Sequence, residues 1–142
     1  MKARVLLPLV TVAVLCSTFF APKVQATSNH NYKPGEYVVI VQGRSPNGRY
    51  SIASHGDGEL GYDNFHLYLM DAKTGRKIGP LEEIKDTLDT GASAFYAQWS
   101  ADSKRVSITY RIDRHVAVKV VYSIKNRRAY LENRPTRVSS LR

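Results

Sequence analysis

The sequence predicts a mainly β protein: antiparallel sheets built from two similar repeats, with at most one short helix. Three observations carry this. Short runs of alternating apolar and polar residues recur from Glu36 to Glu132. Glycine, asparagine and proline stand between them at turn positions. A polar turn followed by a strand begins at Ser45 and is met again at Ser100.

The first segment stands apart from the fold. Lys2 and Arg4 precede an apolar stretch from Val5 to Ala21, and Val24-Gln25-Ala26 offers small residues where signal peptidase cuts. Residues 1–26 therefore read as a cleavable signal peptide, and the product is expected to be periplasmic or secreted. The competing reading is an uncleaved membrane anchor, since the apolar run nearly reaches spanning length. Pro8 and the Cys16-Ser17-Thr18 patch weigh against it, and Leu15 ahead of Cys16 disfavours lipid attachment. Cys16 is the only cysteine. It leaves with the signal, so the exported chain forms no disulfide and its core rests on packing alone.

Residues 27–35 are polar and aperiodic, a flexible lead. The β domain is expected over residues 36–133. Glu36 to Gln42 is apolar on both alternating sets, as in a strand buried on both faces. Ser45-Pro46-Asn47-Gly48 is a tight turn, because proline fixes φ and glycine tolerates positive φ. Arg49 to Ser54 follows as a strand. Gly56 to Asn64 is a glycine-rich acidic loop, and Phe65 to Asp71 is the third strand. Its turn, Ala72 to Gly75, has Gly75 at a left-handed position and returns through Arg76 to Ile78.

Gly79 to Thr90 is the one helical candidate, with Pro80 at a first-turn position and Leu81, Ile84 and Leu88 at helical spacing. Strands resume at Ala94 to Trp99, Arg105 to Ile112, His115 to Ile124 and Ala129 to Glu132. Asp113-Arg114 reads as a two-residue connection, and residues 134–142 as a basic, frayed tail.

The repeat is visible in two places. Ser45-Pro46-Asn47-Gly48-Arg49 corresponds to Ser100-Ala101-Asp102-Ser103-Lys104, and Leu67 to Gly75 loosely corresponds to Val120 to Asn126. The run Trp99-Ser100-Ala101-Asp102-Ser103-Lys104-Arg105-Val106 resembles the blade signature of TolB-type β-propellers. So does Leu67 to Gly75, with Asp71 and Gly75 at its hairpin turn. The resemblance spans roughly Ser45 to Lys125 and implies two propeller-blade-like repeats, with no catalytic residue. It also implies that the aromatic before the turn, here Trp99, packs between blades; the first copy has Gly43-Arg44 in its place. A closed propeller needs about four to eight blades. Either several chains close a ring, or two blade-like sheets pack face to face as a compact monomer or dimer.

Charge is unevenly placed. The full chain carries +9. Thr27 to Ser103 holds 7 basic and 10 acidic residues, whereas Lys104 to Arg142 holds 11 and 2. The C-terminal half thus offers a basic face for a polyanion, with Arg111, Arg114, Lys119, Tyr122, Arg127 and Arg128 as its binding residues. The bland alternative is a solvated surface. An exported module of this kind would take an envelope polyanion or a protein rather than nucleic acid, and would meet a membrane only through an uncleaved signal.

No cofactor, metal or catalytic site is expected. Ser54, His55 and Asp57 stand close in sequence, but strand neighbours point to opposite faces and no nucleophile elbow surrounds the serine. Asp57, Glu59 and Asp63 do not have EF-hand spacing, and the histidines are scattered. The expected function is a non-catalytic binding or interaction module. The alternative is a small cell-envelope hydrolase using His55 or His66 with Asp57 or Asp63.

Overall fold

A computed structural model describes residues 27–138. Residues 1–26, expected to be a signal peptide and holding Cys16, and residues 139–142 of the expected basic tail lie outside the described residues. The fold is mainly β, 55% strand and 5% helical, with no helix of seven residues or more among the described residues. One strongly curled eight-stranded sheet forms a half-barrel. Its strands are β1 (Val38–Arg44), β2 (Tyr50–Asp57), β3 (Asp63–Asp71), β4 (Lys77–Pro80), β5 (Tyr96–Trp99), β6 (Arg105–Asp113), β7 (Val116–Lys125) and β8 (Arg128–Val138).

The strand order is β4-β3-β2-β1-β5-β6-β7-β8. Each half is thus an antiparallel meander of four strands, and the halves meet where β1 and β5 pair in parallel, Val41 against Tyr96. A mirrored order with a parallel centre relates the halves by a two-fold along the strands. That operation turns the face of the second meander over. The sheets therefore join edge to edge, in place of the expected face-to-face packing, and the curl remains compatible with a propeller-like β fold.

For both halves to line one core, their apolar residues must differ in phase by one position. They do. Counting from the matched turn serines, the core takes Ile52 from β2 but Val106 and Ile108 from β6, which flank the position equivalent to Ile52. Paired neighbours follow, Leu69 opposite Ile52 and Val120 opposite Ile108. Cross-strand partners share a face, so all point into the concave side.

The first strand pairs irregularly. Val39 faces Ala53 and Arg44 faces Ser51, so Ile40 to Gly43 bulge against Ile52 alone. The bulge brings the Val41 amide to the Phe95 carbonyl at 3.1 Å, which makes the junction of the two halves. It also explains the departure at Gly43, where an added Cβ would lie 2.7 Å from the Ile52 carbonyl oxygen. Trp99 donates its indole N–H to the Gly43 carbonyl across the junction. The bulge corrects one expectation: β1 is not buried on both faces, for Val39 and Val41 are 45% and 40% exposed.

Other corrections have simple causes. The segment Gly79 to Thr90 is not helical. Pro80 pairs with Tyr68 in β4, and Glu83 and Asp86 take positive φ. Leu81 and Ile84 drop singly into the core, the same burial a helix face would give them. The two-residue connection lies one place later, at Arg114-His115. The tail beyond Asn133 continues β8, with Thr136 opposite Lys119 and Val138 opposite Ala117. The lead is bound to the body: the Ser28 amide donates to Asp89, and the Ser28 carbonyl accepts from the Thr90 and Gly91 amides. Farther along, Tyr32 donates to Ser54 and to the Thr90 carbonyl.

Candidate functional site

Strand direction alone brings one set of turns together. Odd-numbered strands all run toward one end of the half-barrel, because β1 and β5 are parallel and each meander alternates. The β1–β2, β3–β4, β5–β6 and β7–β8 turns therefore share that end.

The turns touch in a closed circuit. The Asn47 amide donates to Ser103 Oγ at 3.0 Å, joining β1–β2 to β5–β6. The Ala72 amide donates to the Arg49 carbonyl at 2.9 Å, joining β1–β2 to β3–β4. The Ile124 amide reaches the Lys104 carbonyl at 2.7 Å. Arg127 closes the ring onto Asp71 at 3.1 Å. The repeated turns match bond for bond. Ser45 Oγ donates to Asn47 Oδ1, and Ser100 Oγ to Asp102 Oδ1, each at 2.7 Å. Each serine oxygen also accepts the amide five residues on, Tyr50 or Arg105, at 3.0 Å. Gly48 and Ser103 occupy the same left-handed position, at φ 70° and 60°.

This collar is basic. Arg44 and Arg49 flank the first turn, Lys73 and Arg76 the second, and Lys104 and Arg105 the third; Lys125, Arg127 and Arg128 make the fourth. All nine are exposed. The three carboxylates within the collar are already engaged. Asp71 accepts the Thr74 and Lys73 amides and Arg127, which hold it below the ordinary carboxylate range. The Ser100 hydroxyl and Lys104 amide do the same for Asp102. Glu132 is clamped by Arg105, whose own pKa it raises. The remaining acids lie elsewhere, with Asp57, Glu59 and Asp63 around the β2–β3 loop at the far end.

The binding residues expected in the C-terminal half do not form one face. Arg127 and Arg128 join the collar, and Arg128 lies 5.6 Å from the Tyr130 ring. Arg114 and Lys119 are exposed, but Arg114 stands in the β6–β7 turn at the opposite end. Arg111 is turned to the buried Asp89, its Nη2 3.1 Å from the carboxylate. Tyr122 is in the core, donating to the Glu82 carbonyl. Tyrosine on these strands mostly serves packing, as Tyr110 and Tyr122 show. Sequence reasoning missed Arg44, Arg49, Lys73, Arg76, Lys104 and Lys125. The signal was present, since each adjoins a turn, and turns that follow odd strands share an end.

The hydrolase constellation does not assemble around Ser54. That serine is fully buried and bonded to Tyr32 and the Val38 carbonyl. His55, on the other face, is held by the Glu36 carbonyl at Nδ1 (2.6 Å), with Asp57 3.4 Å from Nε2. His66 pairs opposite His55 on the outer face and is exposed. Among the described residues no group of three His, Cys, Asp or Glu side chains converges as metal ligands. No family model, curated protein or solved structure matches the chain.

Proposed function

We propose that this protein is an exported, non-catalytic binding module that takes a polyanion on the collar of four turns. One observation carries the reading: turns from both halves gather nine exposed cations, while every carboxylate among them is occupied internally. A site so composed attracts phosphate, sulfate or carboxylate groups by charge and needs no reactive side chain. The burial of Ser54, bonded to Tyr32 and the Val38 carbonyl on the face away from His55, supports a binding role over serine-dependent hydrolysis. We further read the two meanders as TolB-type blade repeats, supported by the matched turns and by Trp99 bridging the halves.

Heparin chromatography tests the collar. The chain from Thr27 onward should be retained and should elute at moderate salt. Replacing Arg127 and Arg128 with glutamate should lower the eluting salt well below that of the parent. Equal elution of parent and variant on heparin, or no retention of the parent, would overturn the proposal.

A further inference from the structure

The collar has a shape as well as a charge, and the shape narrows the class of polyanion. We infer that it docks end-on against an anionic lipid surface, without insertion; this rests on the polyanion reading above.

The four turns meet in a ring rather than along a groove. Their tips, residues 45–49, 72–76, 100–104 and 125–127, carry no aromatic side chain. A protein that tracks a single extended polyanion uses a charged groove with a series of stacking rings. The collar has one ring beside it, Tyr130, not a series, and that ring already lies against Arg128. Nor does it offer a wedge for the acyl region, since its least polar tip residues are Pro46, Ala72 and Ala101. It presents cations from four directions at one end of the strands, which suits a charged plane.

The rest of the molecule favours one orientation on such a plane. Asp57, Glu59 and Asp63 occupy the far end, so a negative surface attracts the collar and repels the opposite loop. Glu82, Glu83 and Asp86 lie in the segment between β4 and β5, again outside the collar. Attraction of this kind amounts to roughly tenfold in affinity for each one or two cations near the surface, and it fades within a Debye length.

Vesicle sedimentation tests this with the chain from Thr27 onward. The protein should pellet with vesicles of mixed phosphatidylglycerol and phosphatidylcholine at low salt. It should stay in solution with phosphatidylcholine alone, and should be released near 1 M salt, where the Debye length is about 3 Å. Lys73→Gln, Lys104→Gln and Lys125→Gln together should weaken vesicle binding by about a hundredfold. These exposed side chains make no described hydrogen bond, and near-ultraviolet circular dichroism would verify that the fold is kept. A control with Arg114, Arg134 and Arg137 changed to glutamine removes as much charge away from the collar and should bind nearly as the parent does. Equal losses in the two triple variants would overturn end-on docking. Retention on heparin with no vesicle binding would also overturn it while leaving the polyanion reading intact. Failure of both would remove both.

Discussion

Ser103 and Gly48 hold the same left-handed position in the two matched turns, and they meet its demand differently. Glycine adopts positive φ freely; serine does so at a cost of about 1–2 kcal/mol. Ser103 is nevertheless buried, and its hydroxyl receives the Asn47 amide from the other half. The hydroxyl thus links two turns, and the backbone conformation puts it there. Ser103→Ala keeps the unfavourable φ and leaves the Asn47 amide without that partner. Urea unfolding should report a loss of about 0.5–1.5 kcal/mol, the usual net contribution of one intramolecular hydrogen bond.

The lead segment behaves as a structural element although it holds no regular hydrogen-bond ladder. It passes from Ser28 to Tyr32 across the body and satisfies backbone groups at Thr90 and Gly91. Ser28 also completes the surroundings of Asp89, a carboxylate 1% exposed and paired with Arg111. A variant lacking residues 27–32 leaves those groups to water and opens the Asp89 site, so its thermal midpoint should fall by several degrees or more. A variant melting with the parent would show that the strap adds nothing.

Much at this scale was legible beforehand. A strand was expected at each of the eight places where one stands, most clearly over alternating runs such as β6, because alternation is what a half-buried strand requires. The continuation of β8 beyond Asn133 was not expected. The segment after Pro80 was not legible: single apolar residues dropping into a core from an irregular chain share the spacing of a helix. The lead was hidden for another reason. Its bonds run mostly through backbone atoms, which leave no trace in side-chain pattern.

For the molecule as a whole, the site was the less legible part. Composition by halves pointed to the C-terminal segment, yet the collar draws cations from both halves. Charge along a chain becomes charge at an end only once strand directions are known. The core, by contrast, sets an alkaline limit that its residues foretell. Burial pushes the Tyr110 hydroxyl up to about 12 and the Tyr122 hydroxyl higher still, from an ordinary value of 10.0. Folding favours their neutral form, so the stability they contribute is complete below the unfolded value and is lost as pH rises through the folded ones. Unfolding midpoints in urea should therefore decline above about pH 10. Phenolate absorbance of these two rings should grow only as near-ultraviolet dichroism disappears. Full ionisation of all tyrosines with the dichroism intact would contradict this.

The one-position difference in phase between the halves bears on how such a chain can arise. Two identical copies of either half, fused and paired through their first strands, would turn their apolar sides to opposite faces of the shared sheet. Neither side would then be covered. A faithful gene duplication alone does not yield this protein; the copies must first drift apart by one residue in what they hide. Imperfect repetition here is a condition of the shared interior, and a designer who restored the symmetry of the sequence would dismantle it.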